Sequence, residues 1–176
     1  SATFPANFML VAAMNPCPCG FRNDPHRSCQ CFLPLVERYL AKISGPMLDR
    51  IDIQIEIPAV PFKDLSAAAD GTSSRQMVSG VKRARKKQAA RFENLLLRYN
   101  SQLPSPQIRQ LCHLTTSART TLCQSINELG FSARTHDKIL RVSQTIADID
   151  DAAEIDTHHI HEAVNYRLLD RRYWNR

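Results

Sequence analysis

The stretch LVAAMNPCPCGFRNDPHRSCQC, Leu10 to Cys31, joins an apolar run to a loop that holds four of the chain's six cysteines. From Phe8 to Met14 the run is unbroken, and it stops at Asn15-Pro16. That pattern predicts a central strand of a parallel sheet, buried on both faces, with Pro16 preventing simple continuation. Beyond it, Cys17-x-Cys19 is followed after nine residues by Cys29-x-Cys31, and the gap carries the turn formers Gly20, Asn23, Asp24 and Pro25. Two thiolate pairs on a loop with almost no apolar residues of its own suit a tetrahedral Zn²⁺ that orders the loop. Four cysteines would leave no open position for water, so such a zinc is structural rather than catalytic. Free or redox-active thiols and a pair of disulfides remain alternative readings, and His26 is a candidate substitute for one ligand.

Working outward, Leu35 to Ile43 predicts a short helix closed by Ser44-Gly45-Pro46. Ile51, Ile53, Ile55 and Ile57 alternate with Asp52, Gln54 and Glu56, which predicts a second strand with one apolar face. Residues 58–74 contain prolines, small residues and DGTSS and read as a linker. Everything after them reads as helical. Met77, Val81, Ala84, Phe92 and Leu95 lie on one seam, and Arg83, Lys87 and Arg91 form a stripe on another face. Pro104 and Pro106 mark a break; Thr115 or Thr116, Ser132, and Asp156 or Thr157 are candidate caps for the helices that follow, with Gly130 as a stop. Cys112 and Cys123 fall in helical segments and are expected to be small core residues. The fold class is therefore an α/β piece, residues 1–57 with the Cys17–Cys31 loop, followed by an all-α helical bundle over residues 75–176. Two strands cannot form a stable doubly covered sheet, so further strands are expected upstream of Ser1.

At 176 residues, 43% hydrophobic and 23% charged, the chain has a globular composition. It has no apolar run of roughly 20 residues and no basic segment leading into an apolar signal core, so a cytoplasmic protein without membrane association is expected. Net charge is +6 and the pI is about 9.2. Lys82, Arg83, Arg85, Lys86, Lys87 and Arg91 lie in one segment, whereas Asp148, Asp150, Asp151, Glu154 and Asp156 gather near a later turn. The basic run points either to a polyanionic partner or to a solvated helix face. His158, His159 and His161 read as surface or packing residues, and Tyr173 and Trp174 as a packing patch or a stacking surface for nucleic acid.

LVAAMNPCPCG, RYLAKISGPMLDRIDIQIEIP and SARTHDKILRVSQTIADID together resemble the ComM (YifB) family of magnesium-chelatase-like AAA+ ATPases over nearly the whole chain. The resemblance implies the last part of an ATPase core plus its helical lid, with ATP and Mg²⁺ as cofactors of the full-length protein. The Walker A and B elements would precede Ser1, and no G-x-x-x-x-G-K-[ST] occurs here, so the chain alone is expected to be inactive. Asn15 resembles the sensor 1 residue, Arg50 in GPMLDRID the arginine finger, and Arg134 the sensor 2 residue, the last placed in a helix's first turn where free amides favour phosphate. Without the resemblance, Asn15 reads as part of an Asn-Pro turn and Arg50 as a partner of Asp49 or Asp52.

The family further implies a homo-oligomer, a hexamer, acting on branched or single-stranded DNA without sequence preference, as a branch-migration helicase in natural transformation or recombination. Two alternatives stand beside it: a chelatase-type remodeller of protein complexes that does not bind DNA, and a non-enzymatic, zinc-stabilised interaction module.

Overall fold

The computed structural model describes residues 8–58 and 71–169, with Ala2, Phe4, Ala6 and Val60. Most of the expected linker lies outside the described residues, as do Tyr173 and Trp174. Contacts divide the chain into two compact units, Ser1–Ser44 with Pro58–Val60, and Gly45–Ile57 with Pro61–Arg176. Residues 45–57, read from sequence with the first domain, thus group with the helices.

In the first unit, the cysteine loop leads into α1 (Leu33–Leu40), which carries Pro34 in its first turn and buries Val36 and Leu40. The second unit opens with α2 (Gly45–Leu48), so Gly45-Pro46 starts a helix here rather than simply closing the preceding one. Then follow α3 (Ser74–Arg91), a 3₁₀ turn (Asn100–Gln102), α4 (Ser105–Leu111), α5 (Thr116–Leu129), α6 (Ala133–Ile149) and α7 (Thr157–Asn165). Among the described residues, no helix is long and apolar enough to cross a membrane.

The helix boundaries follow local chemistry. Thr115 Oγ1 accepts from the Ala118 amide, Ser132 Oγ from the Thr135 amide, and Asp156 from the Thr157 amide, each satisfying a donor that the first helical turn leaves free. Gly130 ends α5 at φ 59°, a left-handed conformation that glycine adopts without a Cβ penalty. Helix α6 is the centre of the bundle and packs on α3, α4, α7 and the 3₁₀ turn, while α5 packs on α7. Ile139, Leu140, Ile146 and Ala147 of α6 meet Leu122, Ile155, Ile160 and Val164 in one core.

The two expected strands are not seen among the described residues. Phe8, Met9, Leu10 and Val11 are exposed and carry no ladder, as are Ile53, Ile55 and Ile57. A doubly buried strand exists only where neighbours accept its amides and cover both faces, and the described residues supply no such neighbours. The β pairing among them is a single parallel bridge, Leu114 with Ile155. Two core expectations change as well: Cys112 is buried but Cys123 is exposed, and on the α3 seam Ala84 and Phe92 are buried while Met77, Val81 and Leu95 are exposed.

One polar cluster ties the bundle together. Asp148, fully buried on α6, receives both terminal nitrogens of Arg91, with Nη1 at 2.8 Å, and the Asn100 amide, also at 2.8 Å. Asn100 Nδ2 further donates to Thr145 Oγ1 at 3.0 Å, and its Oδ1 accepts from Arg91. The fork geometry and the paired charge hold Arg91's pKa above its ordinary value. Replacing Asp148 with Asn leaves a largely buried guanidinium without its counter-charge. Chemical denaturation is expected to show a loss of about 3 kcal/mol, at the lower end of the range for breaking a buried pair.

Candidate functional site

Cys17 and Gly20 bound a tight turn, with the Gly20 amide donating to the Cys17 carbonyl at 3.0 Å and Gly20 at φ 83°. Asp24 closes the far side of the loop, its Oδ1 accepting from the amides of His26 and Arg27. Between these turns the four sulfurs of Cys17, Cys19, Cys29 and Cys31 converge within 4.8 Å of one another. Three of the separations are 3.3, 3.7 and 3.6 Å. A tetrahedron of sulfurs about 2.3 Å from a metal has edges of about 3.8 Å, so the donor set fits one tetrahedral ion. All four thiols are free, the disulfide pairing is not formed, and exposed His26 is not one of the converging ligands.

The thiols are electrostatically unequal. Cys19 is drawn down to about 6 by hydrogen bonds from the Phe21 backbone and then from Cys17, whereas desolvation leads the rise of Cys31 to about 12. A nearby cation is what would let all four ionise together. Asn15 belongs to this same unit; it is exposed, and its side-chain amide lies beside the Gly20 turn.

In the helical unit, Arg50 and Arg134 line one cavity of about 560 Å³, with Lys138 and Arg141 on the same α6 face and Asp52 and Asp137 as the acidic members. Arg134 sits in the first turn of α6, directly after the Ser132 cap, where the helix presents its positive end. Its guanidinium meets Asp49 at 3.0 Å, and Lys138 meets Asp52 at 2.8 Å. The acids flanking Arg50 are therefore engaged by α6, and Arg50 itself donates to the Pro46 carbonyl at 2.7 Å. Burial pushes Asp137 upward, but hydrogen bonds with Ser105 and His136 outweigh it and hold the carboxyl below its usual range. Four cations thus meet three carboxylates, Asp52 and Asp137 in the lining and Asp49 on Arg134, which leaves a small excess of positive charge to suit an anion.

Sequence reading missed how residues 49–54 are held. Lys138 Nζ, almost buried, donates to the Arg50 carbonyl at 2.7 Å; Arg167, 1% exposed, donates to the Ile51 carbonyl; the Gln54 amide donates to the Tyr166 carbonyl at 3.0 Å. Nothing in the basic segment around Arg167 distinguishes it from a solvated arginine, since the signal is a carbonyl more than a hundred residues away.

Asp150 joins the histidines of α7, its Oδ2 lying 3.4 Å from His159 Nε2 and 3.7 Å from His158 Nε2. His159 is fully buried and its Nδ1 accepts from the Asp156 amide at 2.8 Å. The neutral ring therefore carries its proton on Nε2, which faces Asp150 without a free lone pair for a metal.

The N-terminal residues 1–65 match the family model for magnesium chelatase, subunit ChlI, and residues 71–167 match the model for the ChlI C-terminal region. These define the class as magnesium-chelatase ChlI relatives. The chain is 42% identical over 170 residues to the uncharacterized protein YifB of Escherichia coli, and 38% identical over 169 residues to the competence protein ComM of Haemophilus influenzae. Each match covers 96% of this chain and 32% of the relative. An uncharacterized protein of Mycobacterium bovis is 33% identical over 171 residues, covering 97% of this chain and 33% of that protein. The chain belongs to the ComM/YifB family, and it spans about a third of the length of the curated relatives it matches.

His159 gives the helical unit a pH dependence with a definite sign. Desolvation first, and then the neighbouring His158, lower its pKa below the ordinary 6.5. The unfolded chain therefore takes up a proton near pH 6.5 that the folded one resists, and this contribution to stability is lost as pH falls from about 6.5 toward the folded value. Denaturation midpoints are expected to fall as pH is lowered through about 6.5, and His159→Gln is expected to flatten that slope.

Proposed function

We propose that the chain is the C-terminal part of a hexameric AAA+ ATPase that acts on DNA, its helical unit serving as the lid. The observation that carries this reading is the shared cavity of Arg50 and Arg134 at the N-terminus of α6, an arrangement of guanidinium groups suited to phosphate. Arg50 acts as the arginine finger toward a neighbouring subunit's nucleotide, Arg134 as sensor 2, and Asn15 as sensor 1. Lys138 and Arg167, by holding the Arg50 and Ile51 carbonyls, keep the finger's backbone in place. ATP with Mg²⁺ supplies the phosphoryl group whose transfer drives movement. The family match to ChlI supports this reading, and so does the relationship to a competence protein.

In this reading residues 1–57 belong to the ATPase core, 58–74 to a linker and 75–176 to the lid, although residues 45–57 group with the helices by contact, and the apolar runs Phe8–Met14 and Ile51–Ile57 are completed as strands by the rest of the sheet. Their exposed apolar side chains support that placement. Zn²⁺ held by Cys17, Cys19, Cys29 and Cys31 staples the loop that follows the first strand.

Elemental analysis of protein purified under reducing conditions is expected to give one zinc per chain, lost in Cys17→Ser and Cys29→Ser. A folded, metal-free protein with four thiols open to alkylation would reject the staple. In the full-length protein, DNA-stimulated ATP turnover is expected. Arg50→Ala should leave nucleotide binding intact and reduce turnover by about 10³-fold or more, the range for loss of an arginine finger. Wild-type turnover removes the finger role, while absence of DNA binding at low salt favours the remodeller that works on proteins.

A further inference from the structure

We infer that the outer face of α3 is a docking surface for single-stranded nucleic acid. This rests on the proposed action on DNA for the class of partner and assigns the surface that meets it. Helix α3 spans Ser74–Arg91 and carries seven arginines and lysines and no acid. At about 100° per residue, Arg75, Lys82, Arg85 and Lys86 fall within an arc of about 100°, with Val78 inside it and Val81 about 40° beyond it. All six are exposed.

Of the rest of the basic run, exposed Arg83 donates to Ser79 Oγ of its own helix at 3.4 Å, and the other two are used inside the unit. Lys87 pairs with Asp151 at 2.7 Å and donates to the Ala152 carbonyl, and Arg91 is committed to Asp148. Among the described residues, no ion pair engages Arg75, Lys82, Arg85 or Lys86, so a band of four cations stands open on one side of the helix. Beside it, Met77, Val78 and Val81 are 57%, 51% and 52% exposed, an apolar patch in the first two turns where the bundle core has not yet begun. The Arg85 guanidinium lies over the Tyr99 ring, 3.9 Å from its centroid, a cation and an aromatic of the two types on which bases stack.

Cations and apolar surface side by side match a polymer that offers phosphates along one edge and uncovered base faces along the other. A single strand does so, whereas a duplex hides its base faces. An acidic protein segment would meet the charges without using the stacked Arg85–Tyr99 pair.

Fluorescence anisotropy with the 176-residue chain and three probes tests this: oligo-dT, a duplex of equal length, and polyglutamate. The strand is expected to bind more tightly than the duplex, with log K falling against log salt at a slope of about −3 for four phosphate contacts. Combined Arg75→Ala, Lys82→Ala and Lys86→Ala should bring the slope to about −1 and weaken low-salt binding by about tenfold or more. Val78→Ser with Val81→Ser should weaken strand binding while leaving the slope unchanged. These positions are exposed, and far-ultraviolet circular dichroism checks that each variant keeps its helices. If the triple variant binds the strand like the parent, the surface is wrong while the DNA reading survives. Preference for duplex, or binding of polyglutamate in place of the strand, also overturns the inference. If neither the chain nor the full-length protein binds DNA, both readings fall.

Discussion

A carboxylate with no access to solvent sets the arrangement of the helical unit. Asp148 is acceptable in the core only because Arg91, Asn100 and Gln144 surround it, and these come from α3, the 3₁₀ turn and its own helix. An ionised group removed from water must find partners of defined geometry, so the network specifies which turn of α3 meets which turn of α6 more sharply than apolar contacts do. The apolar core of Ile139, Ile146, Ile155 and Ile160 supplies the driving force for association. Asp148 supplies the register.

That register has consequences at both ends of α6. Toward its C-terminus it draws Lys87 onto Asp151 and Ala152, sorting the basic residues of α3 into an inner pair and an outer band. Toward its N-terminus it leaves Arg134, Lys138 and Arg141 on one face, where Asp49, Asp52 and the Arg50 carbonyl meet the first two. Cationic side chains thus do two kinds of work in one bundle. Buried ones hold backbone and carboxylates in place, and exposed ones remain open to anions.

The cysteine loop solves a different problem. Residues 15–31 have few apolar side chains to bury, and their order comes from two local turns and from convergence of four sulfurs around Cys17, itself fully buried. Convergence of thiols is favourable only with a counter-ion or with protons retained; here the Phe21 backbone hydrogen bond draws Cys19 down while desolvation pushes Cys31 up. The loop and the helical unit are thus ordered by separate means, one by sulfur chemistry and the other by a packed core.

Much of this was legible in the residues themselves, and where it was, the controlling forces are local. Caps at Thr115, Ser132 and Asp156 and the stop at Gly130 act within four residues, and the paired Cys-x-Cys spacing brings its sulfurs together through turns of known formers. Other features depended on contacts distant along the chain. The same run of arginines and lysines holds Arg91, almost buried against Asp148, and Lys82, in solvent, and nothing in their spacing separates the two. Likewise Arg167 looks like part of a basic tail until the Ile51 carbonyl is brought to it, and the apolar runs Phe8–Met14 and Ile51–Ile57 show strand character that becomes a strand only beside a partner. Local propensity is written in neighbouring residues, whereas charge pairing and sheet formation are properties of two segments at once, and only tertiary structure decides which two meet.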